Sequence, residues 1–253
     1  MSTVQSDTEP LAAWFETPLG QYLLEREREY FDRVVVDIFG YNALQFGLAP
    51  IDLLRTSRIP SRWRVGGSGQ IALKADCRDL PIATHSIDLV ILPHVLEFSD
   101  DPHQILREVV RVLVPEGQVV ISGFNPWSLL GLKRFLPRHR SEVPWNGHFI
   151  NLPRLKDWLS LLSFDVVGGR MHGYAPPFSQ EHWLRRFSFM DSAGDRWWPF
   201  AGGVYLIQAV KRVRGMRVIT PSWRPAIATG GNVVALRRVR GRTMAARQST
   251  VKR

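Results

Sequence analysis

His94 and Glu97 stand three positions apart directly after an apolar run, where a polar side chain could meet a ligand. Residues 88–92, Asp-Leu-Val-Ile-Leu, read as a strand buried on both faces of a parallel sheet. Pro93 and His94 close that strand, and open α/β sheets bind their ligands at this edge. His94 is there a cofactor or acceptor contact, or a base for a protonated acceptor; a hydrogen-bonded structural histidine is the competing reading. Glu97 is a second polar group or, more simply, a solvated charge at the start of a helix. Asp76, further upstream, can order a loop by bonding its own backbone.

Seven histidines invite a metal reading, with His85, His94 and His103 spaced nine apart. Nine residues turn a helix by about half a revolution, so no face gathers them, and no metal site is expected. Cys77 is the only cysteine, which excludes an internal disulfide and fits a reducing compartment.

The elements that must position these groups follow from period and punctuation. Asp101 and Pro102 supply an N-cap and a proline at the first helical position. Leu106, Val109, Val110 and Leu113 then form one stripe, with Arg107, Glu108 and Arg111 turned outward. Pro115-Glu116-Gly117 ends the helix, and residues 119–122 make the next buried strand. Upstream, Thr17-Pro18 opens a helix with Leu23, Tyr30, Phe31, Val34, Val35 and Ile38 on its apolar face, and Gly40 ends it. Residues 41–47 form the first strand and residues near 62–65 the second. Leu155, Trp158, Leu159 and Leu162 mark another helix, followed by strands at 164–167 and 204–210.

The motifs Ala-Asp-Cys-Arg-Asp-Leu-Pro at 75–81, Ser-Ile-Asp-Leu-Val at 86–90, His-Val-Leu-Glu at 94–97, Asp-Pro-His at 101–103 and Arg-Glu-Val-Val-Arg-Val-Leu-Val-Pro-Glu-Gly at 107–117 stand in a telling order. Together they resemble class I S-adenosylmethionine-dependent methyltransferases of the type 11 kind. The resemblance implies an α/β fold with a Rossmann-like, mostly parallel sheet, an antiparallel last strand and helices on both faces. It implies S-adenosyl-L-methionine as cofactor, with Asp76 receiving the adenine amino group and the backbone of Cys77 facing the ring. Gly47, Pro93 and His94 complete the implied cofactor set.

Two departures from the family pattern stand at the first and second strands. Where the family has an acid and a glycine-rich turn, this chain has Gln45, Gly47 and then Ala49-Pro50. Glycine lets the backbone pass close to a ligand, and alanine does so only in part. No acid ends the second strand, where Gly66-Gly67-Ser68-Gly69 follows; Asp52, on a helix after the first strand, is the candidate substitute. Gly67 to Ala72 match a dinucleotide-binding pattern, but only eleven residues separate Gly69 from Pro81, too few for a helix and a return strand, so a turn is expected.

At 253 residues the chain suits one α/β domain. Residues 1–40 form an N-terminal segment and helix, 41–210 the methyltransferase-like domain with an aromatic-rich insertion at 168–203, and 211–253 a basic tail. Of the 33 Lys and Arg, twelve fall in that tail, which holds no acid; the rest of the chain carries 21 against 23 acids, a net of −2. The charge of +10 is therefore a property of the tail, which could touch nucleic acid or an anionic surface or stay solvated. Trp127, Trp145, Trp158, Trp183, Trp197 and Trp198 crowd the region after Asn125-Pro126, as an aromatic acceptor pocket or as packing. No signal segment and no apolar run of about 18 residues is present, so a cytoplasmic protein is expected.

Methyl transfer needs proximity more than a fixed catalytic group, so no catalytic residue is assigned. The expected function is methyl transfer to an unidentified acceptor, small or apolar because the body is near neutral. The alternatives are a cofactor-degenerate binding module on the same fold, and an RNA methyltransferase tethered by the tail.

Overall fold

A computed structural model describes residues 8–65, 75–136, 142–177, 180, 182, 186, 194, 196–198 and 200–213. The glycine-rich stretch 66–72, Trp183 and the tail beyond 213 lie outside the described residues.

Helix α1 (Thr8–Trp14) meets α2 (Pro18–Val36) at a corner where the Thr17 hydroxyl accepts from the Gly20 amide at 3.2 Å and Pro18 starts the helix. A Cβ on Gly20 would sit 2.3 Å from the Trp14 carbonyl, so only glycine allows this approach. Helix α2 ends at Val36 with Asp37 as its cap, four residues before the expected Gly40. Gly40 serves a different need: a Cβ there would fall 2.3 Å from the Cβ of Asp88, whose carboxylate accepts from the Tyr41 and Asn42 amides at 2.8 and 2.9 Å. That contact hangs the first strand on the third.

Strands β1 (Asn42–Phe46), β2 (Ser61–Val65), β3 (Ile87–Pro93), β4 (Leu113–Phe124), β5 (Phe164–His172) and β6 (Val204–Lys211) form one sheet in the order β2-β1-β3-β4-β6-β5. The first four neighbours pair in parallel, and β6 runs antiparallel to both β4 and β5. The mostly parallel sheet with an antiparallel last strand is thus the observed one. Its two faces follow strand alternation. Ala43, Leu89, Ile91, Val120 and Leu206 pack with α1 and α2, while Leu44, Val90, Leu92, Val119 and Ile207 pack with α3 (Pro102–Val112) and α5 (Leu152–Leu161).

Several sequence expectations need correction. The stripe of α3 is Ile105, Leu106, Val109 and Val112; Val110 is half-buried, and Leu113 already pairs with Ile87 as the first residue of β4, so Pro115-Glu116-Gly117 lies inside the strand rather than ending the helix. Glu108 is buried, not outward. Its carboxylate accepts from the Leu80 amide at 2.8 Å and from Arg111, which reaches on to the Leu80 and Ile82 carbonyls, clamping the loop that carries Asp76 onto α3. Strand β5 continues to His172, so the first five residues of the expected insertion are edge strand. Lys211 belongs to β6 instead of the tail, donating to the Val110 and Leu113 carbonyls at 2.7 Å, and Arg212 pairs with Glu116 and Asp165.

Residues 47–60, between β1 and β2, contain no helix. Asp52, expected on one, accepts from the Leu54 amide at 2.9 Å and shapes its own turn.

Candidate functional site

The carboxyl ends of β1 and β3 lie side by side, since Gln45 pairs with Ile91 in parallel register. At β1, Gly47 and Leu48 both adopt left-handed backbone, φ 64° and 42°, turning the chain sharply. The fully buried side chain of Gln45 fills the space inside this turn. Its amide donates to the Ile51 carbonyl at 2.6 Å and more loosely to Gly47 and Leu48, and its oxygen accepts from the Leu53 amide at 3.0 Å. Four backbone groups of an irregular loop are thereby satisfied without water, as a buried loop requires.

At β3, His94 is also left-handed, φ 53°, and no part of it reaches solvent. Its Nδ1 lies 3.0 Å from Glu97 and its Nε2 2.9 Å from Glu27 of α2, with both carboxylates equally buried. The second Glu97 oxygen accepts from the Phe124 amide, and the imidazole is flanked by Phe124 and Phe15 at ring separations of 4.1 and 5.6 Å. Burial works to lower the His94 pKa, but the charges of Glu27 and Glu97 and the hydrogen bonds to both outweigh it and hold the group at about 10. Burial likewise pushes Glu97 up, against the opposing pull of His94 and the Phe124 amide. Glu97 is therefore a buried partner, not a solvated helix start.

Asp76 sits on the loop clamped by Glu108. Its carboxylate accepts from the Arg78 amide at 2.9 Å and from the Arg78 guanidinium at 2.7 Å, which lowers its pKa, and about 29% of the side chain stays exposed. Cys77 is buried among Phe46, Val65 and Leu80, and burial with the neighbouring Asp76 charge drives its thiol up to about 12, so it is no nucleophile. Among the described residues no His, Cys, Asp or Glu cluster could hold a metal.

Beside the end of β3 opens a cavity of about 470 Å³ lined by Leu96, Phe149, Ile150, Trp158, Arg134 and Arg154, among others. Of the six tryptophans read as pocket or packing, Trp158 lines this cavity, Trp145 is buried in the core, and Trp127, Trp197 and Trp198 are exposed. Two features escaped the sequence reading. Glu27 was one, although it interrupts the otherwise apolar series Leu23, Leu24, Tyr30 and Phe31 on the buried face of α2. The arginines of the cavity were the other, and no spacing signals them.

A family described as "Methyltransferase domain" matches residues 51–121. The uncharacterized protein YafS of Escherichia coli is 33% identical over 162 residues, covering 63% of this chain and 68% of YafS. A malonyl-[acyl-carrier protein] O-methyltransferase of Methylovorus is 32% identical over 95 residues, 38% of this chain and 32% of the enzyme, so the match spans a third of that relative. Among solved structures, S-adenosylmethionine-dependent methyltransferases of Archaeoglobus fulgidus and Thermotoga maritima share the fold. Their TM-scores are 0.53 and 0.52, with 19% and 17% identity, over 74% and 76% of this chain and 94% and 97% of theirs. The chain belongs with YafS, its residues 51–121 match the methyltransferase-domain family, and its fold is that of S-adenosylmethionine-dependent methyltransferases.

The methyltransferase domain match and the fold imply S-adenosylmethionine as the cofactor. The donor set fits it on the Asp76 side, where a partly exposed carboxylate can accept from an amino group. At the turn after β1, Gln45 binds backbone only, and β2 ends without an acid among the described residues.

Proposed function

We propose that the protein transfers a methyl group to a small, partly apolar acceptor. Asp76 would hold the adenine amino group and the Cys77 backbone would face the ring. The backbone of Gly47 and Pro93 would line the space between the two strand ends. S-adenosylmethionine supplies an electrophilic methyl when bound. The residues of this chain bring the acceptor's lone pair into line and keep water away, and proximity of that kind is worth roughly 7–11 kcal/mol.

His94 serves this arrangement by position. Both of its ring nitrogens are engaged by carboxylates, so it acts as a positioning residue that fixes the end of β3 and not as a base toward the acceptor. An acceptor must therefore arrive with its lone pair free. The observation carrying the reading is the partly exposed Asp76 carboxylate on a loop clamped to α3.

A binding module on the same fold is the second reading, and the Gln45 network favours it, because it occupies the turn that the family gives to the cofactor. Calorimetric titration with S-adenosylmethionine and S-adenosylhomocysteine separates the two. Micromolar binding by the native protein, weakened tenfold or more in Asp76→Ala, is expected; no binding up to millimolar cofactor would favour the binding module.

A further inference from the structure

We infer that the cavity beside β3 is a binding site for an anionic head group, a carboxylate or a phosphate, carried on an apolar body. The inference rests on the transferase reading only for identifying the bound molecule as the methyl acceptor.

The site is assembled from three parts of the chain. Leu96 and Asp100 come from the segment after β3, Arg134 from a 3-10 turn, Lys133–Phe135, and His148, Phe149, Ile150, Arg154 and Trp158 from the approach to α5 and its first turns. The His148 amide donates to the Glu97 carbonyl at 2.7 Å, and Gly147 lies against the Phe98 ring so closely that a Cβ would be 2.9 Å from it. This wall is thus fixed to the same segment that carries His94 and Glu97. Phe149 packs 5.3 Å from Phe124, and Phe124 packs on His94, so the cavity lies one ring away from the buried network.

The charge in the cavity decides the ligand class. The Arg134 guanidinium lies over the Phe149 ring at 5.6 Å and that of Arg154 over the Trp158 ring at 5.3 Å. Neither is in an ion pair or hydrogen bond among the described residues. A guanidinium near an aromatic face and outside any ion pair keeps N–H groups available, and these match carboxylate and phosphate oxygens two at a time. Asp100 is the acid on the lining, and its charge acts on Arg78, outside the cavity, where it helps raise the guanidinium pKa. Two cations therefore face one acid. Leu96, Phe149, Ile150 and Trp158 supply the apolar wall, and about 470 Å³ accommodates a small molecule. A neutral apolar ligand gives the two guanidinium groups no partner, whereas an anion pairs with them.

The test uses matched eight-carbon probes on the full-length protein without cofactor: octanoate, octyl phosphate, octanol and octylamine, titrated by calorimetry below their micelle concentrations. The anions are expected to bind at least tenfold tighter than octanol or octylamine, and the preferred anion tells carboxylate from phosphate. Arg134→Gln/Arg154→Gln should erase the preference while keeping the native melting temperature; should the double variant melt early, each single variant is expected to lose part of it. Affinity independent of the head group, no binding of any probe, or an unchanged preference in the variants would overturn the inference. Cofactor titration of the same preparation is a separate measurement, so loss of the transferase reading and loss of this one cannot be confused.

Discussion

The ends of β1 and β3 are neighbours on one edge of the sheet, and both are sealed from water by a buried polar side chain, but by opposite means. Gln45 seals the first with a neutral amide that bonds only backbone. His94 seals the second with an imidazole between two carboxylates, one drawn from α2 and one from its own turn. An amide network costs little to bury once satisfied, and it fixes a local loop. An ionic network costs several kcal/mol per ion to desolvate and ties distant segments together. The β3 end is therefore the rigid reference of the site, holding α2, the Phe124 end of β4 and the cavity wall in register, while the β1 end is a local closure whose loss stays local.

The largest expected effect follows at His94. His94→Ala leaves two buried carboxylates facing each other, and removing one member of a buried ionic set costs about 3–5 kcal/mol. Urea unfolding should show that loss, together with loosening of α2 seen as faster amide exchange around Glu27. A cost under about 1 kcal/mol would mean that the three groups are not coupled, and the contrast between the two strand ends would fall.

The contribution of the imidazole also carries a pH signature. Its folded pKa of about 10 lies above its ordinary value of about 6.5, so its stabilisation is complete below about pH 6.5 and is lost as the pH rises through 10. Glu97, also raised in the fold, has the same sign and loses its contribution above the ordinary glutamate range. The stability gap between the native protein and His94→Gln should therefore narrow from pH 6.5 to 10, measured by urea midpoints at each pH. A gap that stays constant or widens would show the imidazole to be neutral in the fold.

What was legible in the sequence follows the same divide. The strand at 88–92, the Asp101-Pro102 helix start and the final strand announce themselves by period and capping chemistry, because each is decided by neighbours in sequence. The fold and the place of His94 at a strand end were legible for that reason. Its partner Glu27 was not, since 67 residues separate them and only packing of α2 across the sheet brings them together. Gln45 was readable as a departure from the family pattern, but not as the lock of the turn, because its four partners lie in a loop that sequence periodicity does not describe. Glu108 was misread as outward for the same cause: its partner, the Leu80 amide, belongs to a loop 28 residues away.

The smallest expected effect belongs to Gln45, and it sharpens the comparison most. Gln45→Ala strands the buried Leu53 amide and Ile51 carbonyl, at a cost of about 1–3 kcal/mol, with exchange faster only in residues 47–54. Gln45→Glu keeps the acceptor for Leu53 but replaces the donor with a second oxygen that faces the Ile51 carbonyl, a repulsion in a buried place. It should destabilise at least as much as the alanine variant, even though it restores the residue type that the family pattern has here. If Gln45→Glu instead unfolds at the native urea midpoint, the loop must open to let water reach the carboxylate. The β1 end would then be a gate and not a seal, and the two strand ends would differ in mobility rather than in the chemistry that closes them.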